Sequence, residues 1–449
     1  MHLDEWKRRA RGRLTLTVFF VGLGTALVAG SLPDETCDVL VVGGGAAGIG
    51  AAGEAGRAGA KVILVEQGFQ VGGNMTSGGV DCPGLFFAYG EQVISGFGWE
   101  VVSNAMVLAG TKFPDVSKWR TARHWQLQHK ISIPLFVALA EEALDRAGVK
   151  IEYFSSAAGL ERIGKSWKVK IHAGPDVRLI TAKVVIDCTG AGSVAAMAGA
   201  KLMRSSERSP GTFRYVAKGV PPRSKWDVPA MQRAYKAAIA DGSLQVGDTR
   251  DPIFGFKLFA SLLTNYVPEA DWSNADRRTA SDKEGRARML RLYRFLRRQS
   301  GFENFEIVSC AAETGVRETA RVVGDYVLTV DDYVGGRAFD DAVCHAFYPV
   351  DLHSTEAGVD PKYLKDGVKP TVPYRSLLPK GVDGMLVAGR CLSADRMAMA
   401  ALRVQASCMA TGQAAGEAAA LAVQRGVDLR QIDVGELKTR LRGRGAIVP

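Results

Sequence analysis

The chain has 449 residues, of which 47% are hydrophobic and 23% charged, an ordinary globular composition that excludes a disordered or multi-span membrane protein. That length predicts a nucleotide-binding domain plus a second, interleaved one. The net charge of +10 gathers in three clusters, Lys7–Arg13, Arg286–Arg298 and Lys438–Arg444; no nucleic-acid motif accompanies them, so nucleic acid is not an expected partner.

The first cluster precedes an uncharged apolar run, Leu14–Gly30, which ends in Ser31-Leu32-Pro33. A basic flank, an apolar stretch and a small-residue end resemble a signal peptide or short membrane anchor, although the run is slightly short for a spanning helix. Arg8-Arg9 loosely resembles a twin-arginine signal, without the usual bulky apolar pair after it. Residues 1–33 are therefore set outside the fold. The expected location is exported, periplasmic or membrane-anchored, with membrane contact through this segment.

From Cys37 the pattern changes. Asp38–Val42 is a short β-branched run, as in a parallel strand buried on both faces. It breaks into Gly43-Gly44-Gly45-Ala46-Ala47-Gly48 and then an alanine-rich helix to about Gly59. A second buried strand, Lys61–Val65, ends at Glu66, which completes a βαβ unit. Residues 74–130 read as loops and short helices, and Pro134–Ala147 as a helix. Strands follow at Ile151–Phe154, Trp167–His172, Val177–Thr181 and Val184–Cys188, the last closing in Thr189-Gly190. Residues 201–380 carry no nucleotide signal and read as a substrate or cap domain. Within it, RARMLRLYRFLRR places Met289, Tyr293 and Leu296 on one stripe of a solvated amphipathic helix. Met385–Ala388 is a last strand into Gly389-Arg390, and Ser407–Val423 a small-residue helix. The expected FAD-binding domain is thus 37–200 with 381–430, followed by a tail at 431–449. The seven cysteines include no C-x-x-C pair, which argues against zinc, iron–sulfur or dithiol chemistry; no metal is expected.

Gly43-x-Gly45-x-x-Gly48 stands between a strand and a helix, the context that this motif needs. The first glycine permits the tight turn, the second lets a pyrophosphate approach, and the third allows close helix–strand packing, while the helix N-terminus favours the anion. Glu66 ends the second strand, where a carboxylate can accept ribose hydroxyls. Three further features select FAD over a nicotinamide. A second glycine-rich loop, Gly72-Gly73-Asn74, follows at once and suits a longer cofactor. Thr189-Gly190 closes a strand returning from a β-rich excursion. Gly389-Arg390 precedes Arg403-Val404 and a helix start able to aim N–H groups at a flavin carbonyl.

These segments, with GVRETARVVGDYVLT, VPYRSLLP and MLVAGRCLSADRMAMAALRVQASCMATGQAAGEAAALA, resemble the FAD-dependent oxidoreductase family built on the two-dinucleotide-binding-domain fold and related to fumarate-reductase-type flavoproteins. The resemblance runs from Cys37 to about Val423. It implies an α/β fold, a doubly wound Rossmann-like FAD domain with an interleaved cap, and a substrate pocket between them. Around the cofactor it implies Gly43, Gly45, Ala46, Ala47, Gly48, Glu66, Gly72, Gly73, Asn74, Thr189, Gly190, Gly389, Arg390, Arg403 and Val404. Two positions depart from the family pattern: Ala191 where an acidic residue usually follows Thr-Gly, and Asp395-Arg396 where a histidine often lies.

Hydride transfer to or from a flavin needs a proton-transfer group and cations that orient the substrate. Of six histidines, His353 is the first candidate, with a hydrogen-bonded structural histidine as the alternative; His345, His124 and His129 follow. Arg317 and Arg321, four apart on an expected helix, could clamp a carboxylate or pair with Glu318 and Asp325. Arg375 is expected to reach the flavin from the cap side. The resulting expectation is a dehydrogenase or reductase acting on a small molecule, with an unidentified external electron acceptor or donor. Its rivals are an electron carrier or FAD-bearing partner subunit without its own substrate, and a flavin monooxygenase. The last is disfavoured because no second Gly-x-Gly-x-x-Gly unit exists for NADPH.

Overall fold

The computed structural model describes residues 34–249, 262–354 and 358–449. The expected signal or anchor at 1–33 lies outside the described residues; among those described, no helix is long and apolar enough to cross a membrane.

β1 (Glu35–Val42) runs through the glycine turn into α1 (Ala46–Arg57) and on to β2 (Val62–Val65). After α2 (Phe97–Leu108) and α3 (Ile133–Arg146), β3 (Val149–Glu152) re-enters the same sheet. Next come β4 (Ser155–Ile163), β5 (Ser166–Ala173) and β6 (Asp176–Asp187), then the short helix α4 (Ser193–Met197). The two strands expected at 177–181 and 184–188 are thus one, because β6 pairs antiparallel with β5 through its first half and parallel with β1 along most of its length. A second sheet holds β7 (Gly211–Lys218), β8 (Leu262–Val267) and β9 (Glu306–Cys310), packed with α5 (Val228–Ala240) and α6 (Ala275–Leu296). The chain returns through α7 (Val330–Gly335), the hairpin β10 (Val350–Ser354) and β11 (Gly358–Lys362), and β12 (Met385–Val387). It ends in α8 (Arg396–Leu402), α9 (Gln405–Arg425) and α10 (Val434–Gly443).

The main sheet has the order β3-β2-β1-β6-β5-β4, with β12 also on β6. The β1, β2, β3 and β12 pairings are parallel. Both faces are covered, as the unbroken apolar runs require. Val39, Val41, Val62 and Leu64 face one core, shared with the helices, and Leu40, Val42, Ile63 and Val65 face the other.

α9 lies on α1 at backbone contact. A Cβ on Gly412 would sit 2.0 Å from the Ala47 carbonyl oxygen, one on Gly416 2.2 Å from that of Ala51, and one on Gly50 2.5 Å from that of Met409. Small residues line this contact because nothing larger fits there.

Three sequence expectations need correction here. The cap is smaller than 201–380. Its own core is built by β7, β8, α5 and α6, whereas Leu328, Tyr333, Val343, Tyr348, Val372 and Leu377 pack into the core of the main sheet. Residues 431–449 are not a bare tail: Leu437 and Leu441 of α10 are buried in that same core. The arginine-rich helix is not solvated all round its apolar stripe. Arg288 is 5% exposed and contacts Asp248 at 3.2 Å and Glu284 at 2.7 Å.

Candidate functional site

One cavity of about 1100 Å³ joins the main sheet to the second one. This exceeds the roughly 300–1,000 Å³ of a drug-sized ligand site and leaves room for a dinucleotide with a substrate. Its lining includes Gly43, Gly45, Ala46, Ala47, Glu66, Gly72, Gly73, Asn74, Thr189, Gly190, Gly389, Arg390, Arg403 and Val404, as well as Tyr266, Arg317, Asp351 and His353.

The glycine turn is built by close approach. Gly43 holds φ +100, and its N–H donates to the Val65 carbonyl at 2.8 Å. A Cβ on Gly48 would lie 1.8 Å from the Gly43 carbonyl oxygen, whereas one on Gly45 would meet nothing within 4 Å. Gly48 therefore seats the helix, and Gly45 leaves its mouth open. Neither α1 nor α9 has a side-chain cap at its N-terminus; in α9 the Ala406 amide already donates to the Pro83 carbonyl at 2.9 Å, so the α1 start offers the fuller set of first-turn amides to an anion.

Glu66 accepts from the Gly44 N–H at 2.6 Å and the Gly68 N–H at 2.7 Å; burial raises its carboxyl despite these two donors. Asn74 donates to the Val316 carbonyl at 2.7 Å, while its buried Oδ1 has no partner within the protein. Thr189-Gly190 is held from beneath. Asp187, fully buried, accepts from the Thr189 amide at 3.0 Å, the Thr189 hydroxyl at 2.7 Å and the Ala195 amide at 2.8 Å. Asp187 thus anchors the loop in which Ala191 replaces the usual acidic residue. Arg390 donates to the Gly190 carbonyl at 3.1 Å and the Val316 carbonyl at 2.6 Å, with Trp272 5.4 Å from its guanidinium carbon. An open glycine cradle, two uncapped helix starts and an orphaned amide oxygen on one cavity fit FAD along this path.

At the other end of the cavity a polar cluster forms. Alternation along β10 puts Asp351 and His353 on one face, and His353 Nε2 is 2.9 Å from Asp351 Oδ2. The other ring nitrogen, Nδ1, is 2.9 Å from the Tyr266 hydroxyl of β8. Burial, with the nearby Arg317 charge, lowers His353 to about 3 against the pull of Asp351. Burial would raise the Asp351 carboxyl, but the His353 hydrogen bond and the charges of His353, Arg403 and Arg317 hold it below its ordinary value. A neutral imidazole beside a carboxylate carries its proton on Nε2, which leaves Nδ1 to accept from Tyr266. Arg403 donates to the Asp351 carbonyl at 2.8 Å. Arg317 donates to the Pro210 carbonyl and lies 5.6 Å from the centre of the Tyr266 ring.

Several expectations fail at this site. Arg375 does not reach the cavity; it is exposed, 3.6 Å from Asp341 and stacked near Tyr326 and Phe339. Residues 316–320 are not helical, so Arg317 and Arg321 share no helix face, and Arg321 starts a two-residue strand against 202–203. His345 contacts the Pro370 carbonyl at 3.3 Å. His129 is enclosed by Phe86, Phe87, Trp99 and Phe113 and is lowered to about 4 by burial. Asp395, in the segment that departs from the family pattern, caps α8 by accepting from the Ala398 amide at 2.7 Å and accepts from the Val330 amide at 2.7 Å. Sequence reasoning missed Tyr266 and the pairing of Asp351 with His353. The Asp-x-His spacing on a strand was a usable signal for the pair; for Tyr266 there was none.

A Rossmann-like sheet with this cradle defines a flavoprotein that binds FAD. The FAD dependent oxidoreductase family matches residues 38–441, and the chain belongs to that family. No curated protein matches the sequence. Among solved structures, similarity extends to a geranylgeranyl bacteriochlorophyll reductase-like protein from Thermoplasma acidophilum, 13% identical over 92% of this chain and 84% of that one, with a TM-score of 0.45. The p-nitrophenol 4-monooxygenase PnpA from Pseudomonas putida DLL-E4 is 11% identical over 91% and 85%, TM-score 0.41. CabE, an aromatic hydroxylase from angucycline biosynthesis, is 16% identical over 91% and 65%, TM-score 0.43.

Proposed function

We propose that this FAD-dependent oxidoreductase is a dehydrogenase or reductase that moves a hydride between a carbon of a small organic substrate and flavin N5. The observation that carries this reading is the Tyr266–His353–Asp351 cluster, with Arg317 and Arg403, on the same cavity as the glycine cradle. When bound, FAD supplies the two-electron chemistry. Gly43, Gly45 and Gly48, with the first amides of α1, would hold the pyrophosphate, and Glu66 would face the ribose. The α9 start at Val404 would favour negative charge on the ring. Arg317 and Arg403 would orient a polar or anionic substrate, and His353 would handle the proton. The pocket beside these groups favours a substrate-specific enzyme over an electron carrier.

The test is anaerobic titration of the yellow holoprotein with sugars, hydroxy acids and dicarboxylates, paired with reoxidation of the dithionite-reduced protein by carbonyl compounds and enoates. Bleaching or recovery of the flavin band near 450 nm by one class is the expected result. A holoprotein inert to every compound in both directions would overturn the proposal in favour of the carrier.

A further inference from the structure

We propose that Trp272, carried by the second sheet's domain, donates its indole N–H to the pyrophosphate of FAD, so that the cofactor is gripped from both sheets. This concerns the cofactor alone and holds whichever way the hydride moves. Trp272 lies between β8 and α6, packs on the core of the second sheet and lines the cavity. Its Nε1 is buried and has no acceptor among the described residues. A buried indole N–H normally finds a partner, because an unmade bond leaves its desolvation uncompensated.

The surroundings call for an anion. Arg390 lies against Gly190, where a Cβ would fall 2.7 Å from its Nη2. Its hydrogen bonds go to the Gly190 and Val316 carbonyls, neutral acceptors that do not cancel its charge. The indole ring is 5.4 Å from that guanidinium and 4.9 Å from the Arg278 guanidinium of α6, so two cations border it. Arg278 pairs with Glu313, which neutralises a carboxylate that would otherwise repel an anion here. Residues 273–275, at the start of α6, line the cavity next to Trp272 and add the partial positive charge of a helix N-terminus. A donor without an acceptor, beside a cation bonded only to carbonyls, is a site for a phosphate oxygen.

Position selects the pyrophosphate over an anionic group of the substrate. A continuous set of contacts joins the mouth of α1 to Trp272. A Cβ on Gly73 would lie 3.2 Å from the Gly45 Cα. Asn74, next in the chain, donates to the Val316 carbonyl at 2.7 Å, and Arg390 donates to the same carbonyl at 2.6 Å. Trp272 borders Arg390 in turn. The charges of Glu313 and Arg278 also act on the Glu66 carboxyl, at the end of β2. The Tyr266–His353–Asp351 cluster has cations of its own in Arg317 and Arg403.

The experiment uses the full chain loaded with FAD and Trp272→Phe, which keeps an aromatic ring between the arginines and removes the N–H. Flavin fluorescence on dilution gives the FAD affinity, with no substrate present. The chains stripped of FAD are then titrated with ADP, which carries a pyrophosphate without flavin, and with riboflavin, which carries flavin without phosphate. The expected result is FAD and ADP binding weakened roughly 10- to 100-fold, with riboflavin binding and melting temperature unchanged. A structural role for the ring would instead weaken all three ligands together, and a site for a substrate anion would leave ADP binding untouched; either result overturns the inference. If Trp272→Phe does not fold, Trp272→Met, flexible enough to fill the gap, gives the same readouts. A wild-type chain that binds neither FAD nor ADP would overturn the cofactor reading itself.

Discussion

Gly48→Ala is expected to yield a protein that purifies colourless. Its new methyl group would fall 1.8 Å from the Gly43 carbonyl oxygen and 2.9 Å from the carbonyl carbon. These are backbone atoms, and Gly43 is fixed by φ +100 and by its bond to Val65. α1 must move off β1, at a cost of about 1–3 kcal/mol for overpacking, and its first-turn amides move with it. Gly45→Ala is the matched control, since its methyl group meets no protein atom within 4 Å and projects only where the cofactor would pass. We expect its melting temperature to stay near that of the wild type while flavin affinity falls. The 450:280 nm absorbance ratio and a melting curve, read together, check both variants. Full flavin content and wild-type stability in Gly48→Ala would show that the cradle is not where the cofactor is held.

The second large effect lies at the opposite end of α1. Glu54 and Glu417 are both fully buried, on α1 and α9, and α10 reaches them with two arginines. Arg440 Nε is 2.7 Å from Glu417; Arg444 Nε is 2.9 Å from Glu417 and 3.4 Å from Glu54. Stripping the partner from a buried charge costs about 3–5 kcal/mol, and partial exposure of the arginines places the double variant Arg440→Ala/Arg444→Ala toward the lower figure. Denaturant unfolding reads this directly; a change below about 1 kcal/mol would mean that the pairs are screened like surface ones.

The same cluster sets a pH dependence. Burial, then the Glu417 charge, raises Glu54 from the ordinary 4.5 to about 8, with Arg444 and Arg57 pulling down and Glu100 pushing up. The folded state therefore binds the extra proton. Its stabilising contribution is complete below pH 4.5, declines as pH rises toward 8, and is gone above that. Glu54→Gln should flatten this decline and exceed the wild type in melting temperature at pH 8 to 9, while matching it near pH 4.5. Parallel curves for the two proteins across that window would refute the assignment.

What the sequence made legible was local. The run Asp38–Val42, the glycine turn, α1, Lys61–Val65 and Glu66 are contiguous, and each rule that governs them acts within a few residues. Contacts made across the chain were not legible. Tyr266 and His353 lie in different strands, joined only when the second sheet meets the β10–β11 hairpin. Residues 328–378 read as cap because they lack nucleotide motifs, yet their apolar side chains find the larger core. GVRETARVVG has an (i, i+4) arginine pair and reads as helix. Residues 316–320 are irregular instead, and the Val316 carbonyl accepts from Asn74 and Arg390 rather than from a following turn. The C-terminal basic cluster reads as part of a tail because its partners, Glu54 and Glu417, are buried and distant in sequence.

The close seating of α9 on α1 has a consequence for biosynthesis. The strand–turn–helix that would hold the pyrophosphate leaves the ribosome well before the helix that covers its back, with Gly412 against Ala47 and Gly416 against Ala51, because α1 (Ala46–Arg57) and α9 (Gln405–Arg425) lie far apart in the chain. At about 5–20 residues per second the interval is on the order of tens of seconds. Throughout that time α1 has an apolar flank with nothing on it, and the main sheet still lacks β12. The groove that would hold FAD is therefore complete only once α9 has been made and has packed on α1.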